Sequence, residues 1–164
     1  MDPNNRDKLF KKIEELSTIT LRDDPAEHGL SDMSLKLSEI VNKHSSACVL
    51  ANKIIKIFGE KQQALNSIKS LYKIKYNNVL ASNELVKQGG SQAERVAIAT
   101  SLLQAEQQKL TDLQNEVTEW EGIKECIDNA VKTLVIAKES MSKQQQIIMQ
   151  QISIKEIGTG FGSR

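Results

Sequence analysis

The stretch Gln88-Gly89-Gly90-Ser91-Gln92-Ala93-Glu94 decides the fold of this 164-residue chain. It holds the only glycine pair in the sequence. Glu94 follows Ser91 by three residues, the spacing of a capping box that opens a helix. Upstream, from Ser31 or Asp32, no breaker stronger than Gly59 intervenes before Gln88. Downstream, a second uninterrupted run reaches about Ile152 or Ile157. The prolines are Pro3 and Pro25, and none follows, so almost nothing in either run interrupts a helical hydrogen-bond ladder. Two long helices, each roughly 80 to 90 Å at 1.5 Å per residue, meet at a turn over residues 89–91 and fold into an antiparallel hairpin.

Composition agrees. Hydrophobic residues make up 39% of the chain and aromatics 4%. Sandwiches, barrels and doubly wound folds need turn residues every ten or so positions, and this sequence lacks them. The expected class is all-α. Residues 1–31 supply a short amphipathic helix (6–17) and a loop (18–31), residues 32–157 the hairpin, and residues 158–164 a flexible tail. Leu9, Phe10, Ile13 and Leu16 share one face of the short helix. Gly59 and Gly122 are the expected bends.

Steps of three and four run through both long helices, the signature of coiled-coil heptads. In the first they connect Met33, Leu37, Ile40, His44, Ala47, Ala51, Ile54, Phe58, Lys61, Leu65, Ile68, Tyr72, Lys75 and Val79. In the second they connect Val96, Ala99, Leu103, Glu106, Leu110, Leu113, Val117, Trp120, Lys124, Ile127, Val131, Leu134, Lys138, Met141, Gln145, Ile148 and Ile152. Phe58, Leu65, Ile68, Leu113, Trp120, Ile127, Leu134, Met141 and Ile148 are the expected core and oligomer seam. Further apolar residues lie off it, among them Ile55, Ile57, Ile74, Leu80, Leu102, Ile123, Val135, Ile136 and Ile147. A second apolar surface needs a partner. Either hairpins pack side by side as a homo-oligomeric bundle or ring, or the N-terminal helix folds back over part of the stripe. At twelve residues that helix is too short to cover it all.

The formal net charge is +1, but the charges are sorted into blocks. Between Lys43 and Lys75, seven lysines stand against Glu60 alone, a net of +6. Between Glu94 and Glu125, seven acids outweigh Arg95, Lys109 and Lys124, a net of −4. A hairpin turning near Gly90 sets residues 55–75 opposite 125–105, so one reading has the blocks fix register through flanking pairs. The other notes that the basic block interleaves with both tyrosines of the chain. Lysines neutralise phosphates, and an aromatic face stacks any base. Lys53, Lys56, Lys69, Tyr72, Lys73, Lys75 and Tyr76 are the candidate nucleic-acid contacts. An oligomer would repeat them along a long polyanion.

Other chemistries lack their residues. No nucleophile–base pair or paired acids in a cleft pattern appear, so no catalysis and no cofactor are expected. Cys48 and Cys126 read as small buried hydrophobes in a reducing compartment. His28 and His44 have no partner at ligand spacing, so no metal site is expected. The polar N-terminus is not a signal peptide, and no run is long and apolar enough to span a bilayer. The Lys- and Ile-rich stretch 53–58 has mixed faces, which argues against membrane-surface binding.

Ser34-Leu35-Lys36-Leu37, with His44-Ser45 after it, is similar to strings that precede the first long helix in UvsY-like recombination mediators of T-even-type bacteriophages and their marine relatives. Lys69, Tyr72, Lys73, Lys75 and Tyr76 resemble that family's basic, tyrosine-bearing segment. Ala105-Glu106, Leu110, Leu113, Trp120, Ile127, Ala130 and Leu134 resemble its second helix, and Phe161-Gly162 its C-terminus. The resemblance covers about residues 30–162. Tyr76 is followed by Asn77-Asn78 where members have Ser-Gly, and Trp120 stands where members often have paired aromatics. The resemblance implies a closed homo-oligomer that binds single-stranded DNA. It would help a recombinase displace a single-strand-binding protein, in the cytoplasm of an infected host cell and without catalysis of its own. The alternative is a coiled-coil adaptor or assembly scaffold that does not bind nucleic acid.

Overall fold

The computed structural model describes residues 3–19 and 30–160, and no strand occurs among them. The helices are α1 (Pro3–Ser17), α2 (Leu30–Ser82), α3 (Glu84–Lys87), α4 (Gln92–Leu102) and α5 (Gln104–Gly160). Pro3 takes the first position of α1, where a missing N–H costs nothing. The part of the expected loop that holds Pro25, His28 and Gly29 lies outside the described residues, as do Phe161 and Gly162. α2 opens at Leu30, which puts Asp32 within its first turn, where a carboxylate suits the helix dipole. α5 continues to Gly160, past the expected end near Ile157 and into the segment expected to be a tail.

The chain divides into two compact units, Ile54–Lys124 and Met1–Lys53 with Glu125–Arg164. The first unit contains the turn. Ser91 is the N-cap of α4, and the capping box with Glu94 is complete. The Ser91 hydroxyl accepts from the Glu94 N–H at 3.2 Å, and the Glu94 carboxylate accepts from the N–H groups of Gly90 and Ser91 at 2.8 and 3.1 Å. Arg95 Nε donates to the Gly89 carbonyl at 3.0 Å. A Cβ on Gly89 would lie 3.0 Å from Arg95 Cγ and 3.2 Å from the Val86 carbonyl, so a larger residue there would require these neighbours to shift.

Two interruptions flank this turn. The first long helix stops at Ser82, earlier than the expected Gln88. Asn83 is extended, and its side chain accepts from the Leu85 N–H at 3.0 Å, capping α3. Asparagine competes for backbone donors in this way. The second interruption falls at Leu103, whose N–H is shared between the carbonyls of Ala99 and Thr100. No breaker residue marks it in the sequence. By contrast, the helices run unbroken through Gly59 and Gly122.

α2 packs antiparallel on α5. In the unit Ile54–Lys124, Ile54, Leu65, Val86, Ala99, Leu103, Val117 and Ile123 are buried. Among the expected seam residues of that unit, Leu65 is buried, and Phe58, Ile68, Leu113 and Trp120 are half-buried. In the other unit, Ile127, Leu134 and Met141 are buried and Ile148 is half-buried.

The α5 seam departs from the expected heptad at alternate positions. Ile123, Ala130 and Ala137 are buried in place of Lys124, Val131 and Lys138 of the expected series, so Ile123 lies on the seam and not off it. Two successive steps of three, Val117 to Trp120 to Ile123, shift the phase by one residue, a local stammer. The physical reason is charge, because a strict heptad would bury two lysine ammonium groups.

The unit formed by residues 1–53 and 125–164 is a three-helix arrangement. Ile13 of α1 is buried, and Leu9 and Leu16 are half-buried. Lys43 of α2 donates to the Thr18 carbonyl at 2.7 Å. Phe10, Ile13, Glu14 and Ser17 of α1 share an open groove of about 470 Å³ with Cys126, Asn129, Ala130 and Thr133 of α5. Buried Ala47, Ala51, Ala130 and Ala137 let the helices approach closely. The N-terminal helix therefore does fold back. It leaves Ile136 at 66% and Ile147 at 54% exposure in its own unit, and the other unit keeps Leu71 and Ile74 at 59% and 57%.

Neither cysteine is buried as expected. Cys126 is exposed on the groove, and Cys48 is half-buried at the seam edge with its sulfur 3.7 Å from His44 Nε2. Among the described residues, no helix is long and apolar enough to cross a membrane.

A Cβ at Gly59 or Gly122 would meet nothing within 4 Å. Mid-helix glycine costs about 0.5–1 kcal/mol relative to alanine. Gly59→Ala and Gly122→Ala should each raise stability by about that amount, read as a higher urea midpoint. A lower midpoint in either variant would contradict an open surround.

Candidate nucleic-acid interface

The candidate contacts, taken together with Lys61, sort into three groups once the hairpin register is fixed. The first is tied up within the hairpin. Lys75 Nζ lies 3.0 Å from Glu106 Oε1, and Lys61 Nζ lies 2.7 Å from Glu116 Oε2. In each pair the partners lie at nearly equal distances from Gly89-Gly90, so these pairs are the register devices of the seam. Lys61, Lys75 and Glu106 are among the polar interruptions of the heptad series.

The second group is a compact patch on α2. Lys69, Tyr72, Lys73 and Tyr76 are spaced i, i+3, i+4 and i+7, which makes them neighbours on one helical surface. The patch is about 10 Å long at 1.5 Å per residue. Lys69 and Lys73 are exposed and form no ion pair among the described residues. Tyr72 and Tyr76 are half-buried at the seam edge, and their rings stack with centroids 6.1 Å apart and planes 22° apart. Each ring therefore spends one face on the other. Asn66 and Asn77, both exposed, lie one turn from Lys69 and Lys73 respectively and extend the polar edge with amide donors. Neither is a cation or an aromatic, so neither stands out in the sequence as a nucleic-acid contact. Their i, i+3 and i, i+4 spacing to the lysines was the available signal.

The third group stands apart from the patch. Lys56 is exposed on α2 more than three turns before Lys69 and does not share its face. Lys53 is exposed and belongs to the other unit.

The electrostatics follow these contacts. The Lys61 ammonium holds the Glu116 carboxyl below the usual glutamate range. Lys75 does the same to Glu106, helped by a backbone hydrogen bond. In the other unit, Lys36 and then Lys43 lower the Glu39 carboxyl, at 2.8 and 3.3 Å. Among the described residues, no group of three His, Cys, Asp or Glu side chains is placed to hold a metal ion.

A carboxyl whose folded pKa is depressed adds stability above its unfolded value and loses it as pH falls through the folded value. The chain should therefore lose stability on acidification below about pH 4.3. Glu116→Gln should cost roughly 0.2–1 kcal/mol at pH 7 and flatten the acid decline. Urea midpoints from pH 3 to 7 check this, and an unchanged acid decline in Glu116→Gln would remove the pair from the account.

No protein-family model matches the chain, and no curated protein and no solved structure matches it either.

Proposed function

We propose that this chain is a non-catalytic recombination mediator. It binds single-stranded DNA as a homo-oligomer and helps load a recombinase onto strands covered by a single-strand-binding protein. Its place is the host cytoplasm, and its type is that of the UvsY-like mediators whose sequence pattern it resembles. The observation that carries this reading is the patch Lys69–Tyr72–Lys73–Tyr76. Its two cations are exposed and unpaired among the described residues, beside the only two tyrosines of the chain. Ammonium groups without local carboxylates are free to replace the counterions of a phosphate backbone. A tyrosine pair at the edge of the patch offers an outer ring face to an unstacked base.

A second reading is favoured by a different observation. Lys61–Glu116 and Lys75–Glu106 consume two lysines of the basic block in holding the hairpin together. If the whole block served that purpose, the protein would be an assembly scaffold with no affinity for DNA.

Fluorescence anisotropy with a labelled single-stranded oligonucleotide separates the two. The mediator reading predicts binding at 50 mM salt. It also predicts that the double variant Lys69→Glu/Lys73→Glu abolishes binding and keeps the wild-type melting temperature. Changing both residues to glutamine should reduce the slope of log K against log salt by about 1.4, for two single-strand phosphate contacts. Tyr72→Ala should weaken binding by roughly 1–3 kcal/mol. Lys61→Glu should instead lower the melting temperature by setting two carboxylates face to face. No binding by the wild-type chain at 50 mM salt would leave the scaffold reading.

A further inference from the structure

α2 carries a pair of soft donors that the functional reading leaves unused. His44 and Cys48 are four residues apart, one helical turn, the spacing at which two side chains of a helix reach a single ion. The expectation that His44 lacks a partner at ligand spacing overlooks this thiol. Both side chains are half-buried at the edge of the seam. The Cys48 sulfur lies 3.7 Å from His44 Nε2 and 4.0 Å from Nδ1. Its near-equal distance from the two nitrogens commits neither lone pair to the thiol. Among the described residues, neither group has another hydrogen-bond or ion-pair partner.

These distances suit coordination better than hydrogen bonding. A tetrahedral ion with a metal–sulfur bond of about 2.3 Å and a metal–nitrogen bond of about 2.0–2.1 Å holds its sulfur and nitrogen ligands roughly 3.5 Å apart. The pair is already close to that separation, and rotation of the imidazole about its χ2 bond points a nitrogen at the shared ion. The helix holds the two side chains together beforehand, so little ordering remains to be done on binding.

The surroundings select the class of ion. Ile40, Val41, Ser45, Ala47, Ala51 and Asn52 stand one turn from one or other ligand, and none is charged. This helix face therefore lacks the carboxylates that magnesium or calcium requires. A thiolate beside an imidazole prefers zinc and its soft relatives. Ile40, Ala47 and Ala51 are buried. An apolar floor of this kind lowers the local dielectric and strengthens the attraction between ion and thiolate.

We propose that His44 and Cys48 form a two-ligand clamp for a zinc-class divalent cation, one ion per chain, with water completing the tetrahedron. It differs from a three-ligand cage, which the described residues do not form. On binding, the sulfur–hydrogen bond of Cys48 breaks, the sulfur–metal bond forms, and the proton passes to solvent. An ion held more tightly by the folded helix than by the open chain staples one turn of α2 and stabilises the fold by mass action. The clamp lies in the unit Met1–Lys53 with Glu125–Arg164, outside the Lys69–Tyr76 patch, and does not depend on the DNA reading.

The test uses the full chain, stripped by chelator and kept under a non-thiol reductant, with zinc alone or cadmium alone as the probe. Cadmium titration at pH 7.5 should raise a thiolate-to-metal absorption band that saturates at one ion per chain, and zinc should raise the urea midpoint. Cys126→Ser should keep both responses, and Cys48→Ser should lose both. His44→Gln keeps the thiol and should weaken cadmium binding at least about tenfold. At pH 5.5 protons compete for both ligands, so the wild-type affinity should fall. Circular dichroism should show wild-type helix content in every variant, and the wild-type response to zinc stands without any variant. No rise in the wild-type urea midpoint at millimolar zinc would overturn the clamp. So would a band that survives Cys48→Ser, an unchanged affinity in His44→Gln, or saturation at one ion per two chains.

Discussion

The antiparallel register between α2 and α5 governs the rest of the molecule, and the Gly89-Gly90 turn sets it. Glu94 satisfies two backbone N–H groups of the turn, Ser91 satisfies a third, and Arg95 reaches back to the Gly89 carbonyl. The side chains that close the turn thus belong to the helix it starts, which ties its geometry to the first turn of α4. Within Ile54–Lys124 this places Lys61 on Glu116 and Lys75 on Glu106. Exposed ion pairs contribute little stability individually. Their importance is in specifying register, because a slip of one heptad in either direction would break both pairs and set Glu116 opposite an isoleucine, Ile54 or Ile68.

The register also divides the basic block into two populations. Lys61 and Lys75 face the acidic helix and are locally neutralised. Lys69 and Lys73 lie along the outer edge of the same helix without a carboxylate. A net charge of +6 over one segment therefore overstates what is available to a polyanion, and the smaller exposed set is the quantity that bears on binding. The same reasoning sharpens the role of the tyrosines. Stacked on each other at the seam edge, the two half-buried rings each have one face against the other.

Much of this was legible in the residues. The glycine pair and the Ser91–Glu94 spacing gave the turn, and the run without proline gave the helices. The opposed charge blocks gave the pairs that cross the seam. Three features were not legible, each for a physical reason. The break at Asn83 depends on one side chain winning a backbone donor from the helix, a local competition that propensity does not resolve. The break at Leu103 has no residue-level signal. The phase shift at Ile123 reflects the cost of burying Lys124 and Lys138, which a strict 3–4 count ignores. Of the site, the residue types were readable, but the division of the lysines into paired and unpaired was not, because it depends on which residues α5 presents.

The central claim is the intramolecular hairpin, and an electron-spin distance measurement tests it most directly. Spin labels at Ser70 and Thr111, both exposed and nearly equidistant from the turn, would report on two helices whose axes lie about 8–10 Å apart. With the reach of the labels added, the hairpin predicts a single distribution below roughly 30 Å, unchanged when labelled chain is diluted with unlabelled chain. A continuous helix would separate the sites by about 60 Å at 1.5 Å per residue. A distance near that value, or a short distance that vanishes on dilution, would contradict the account.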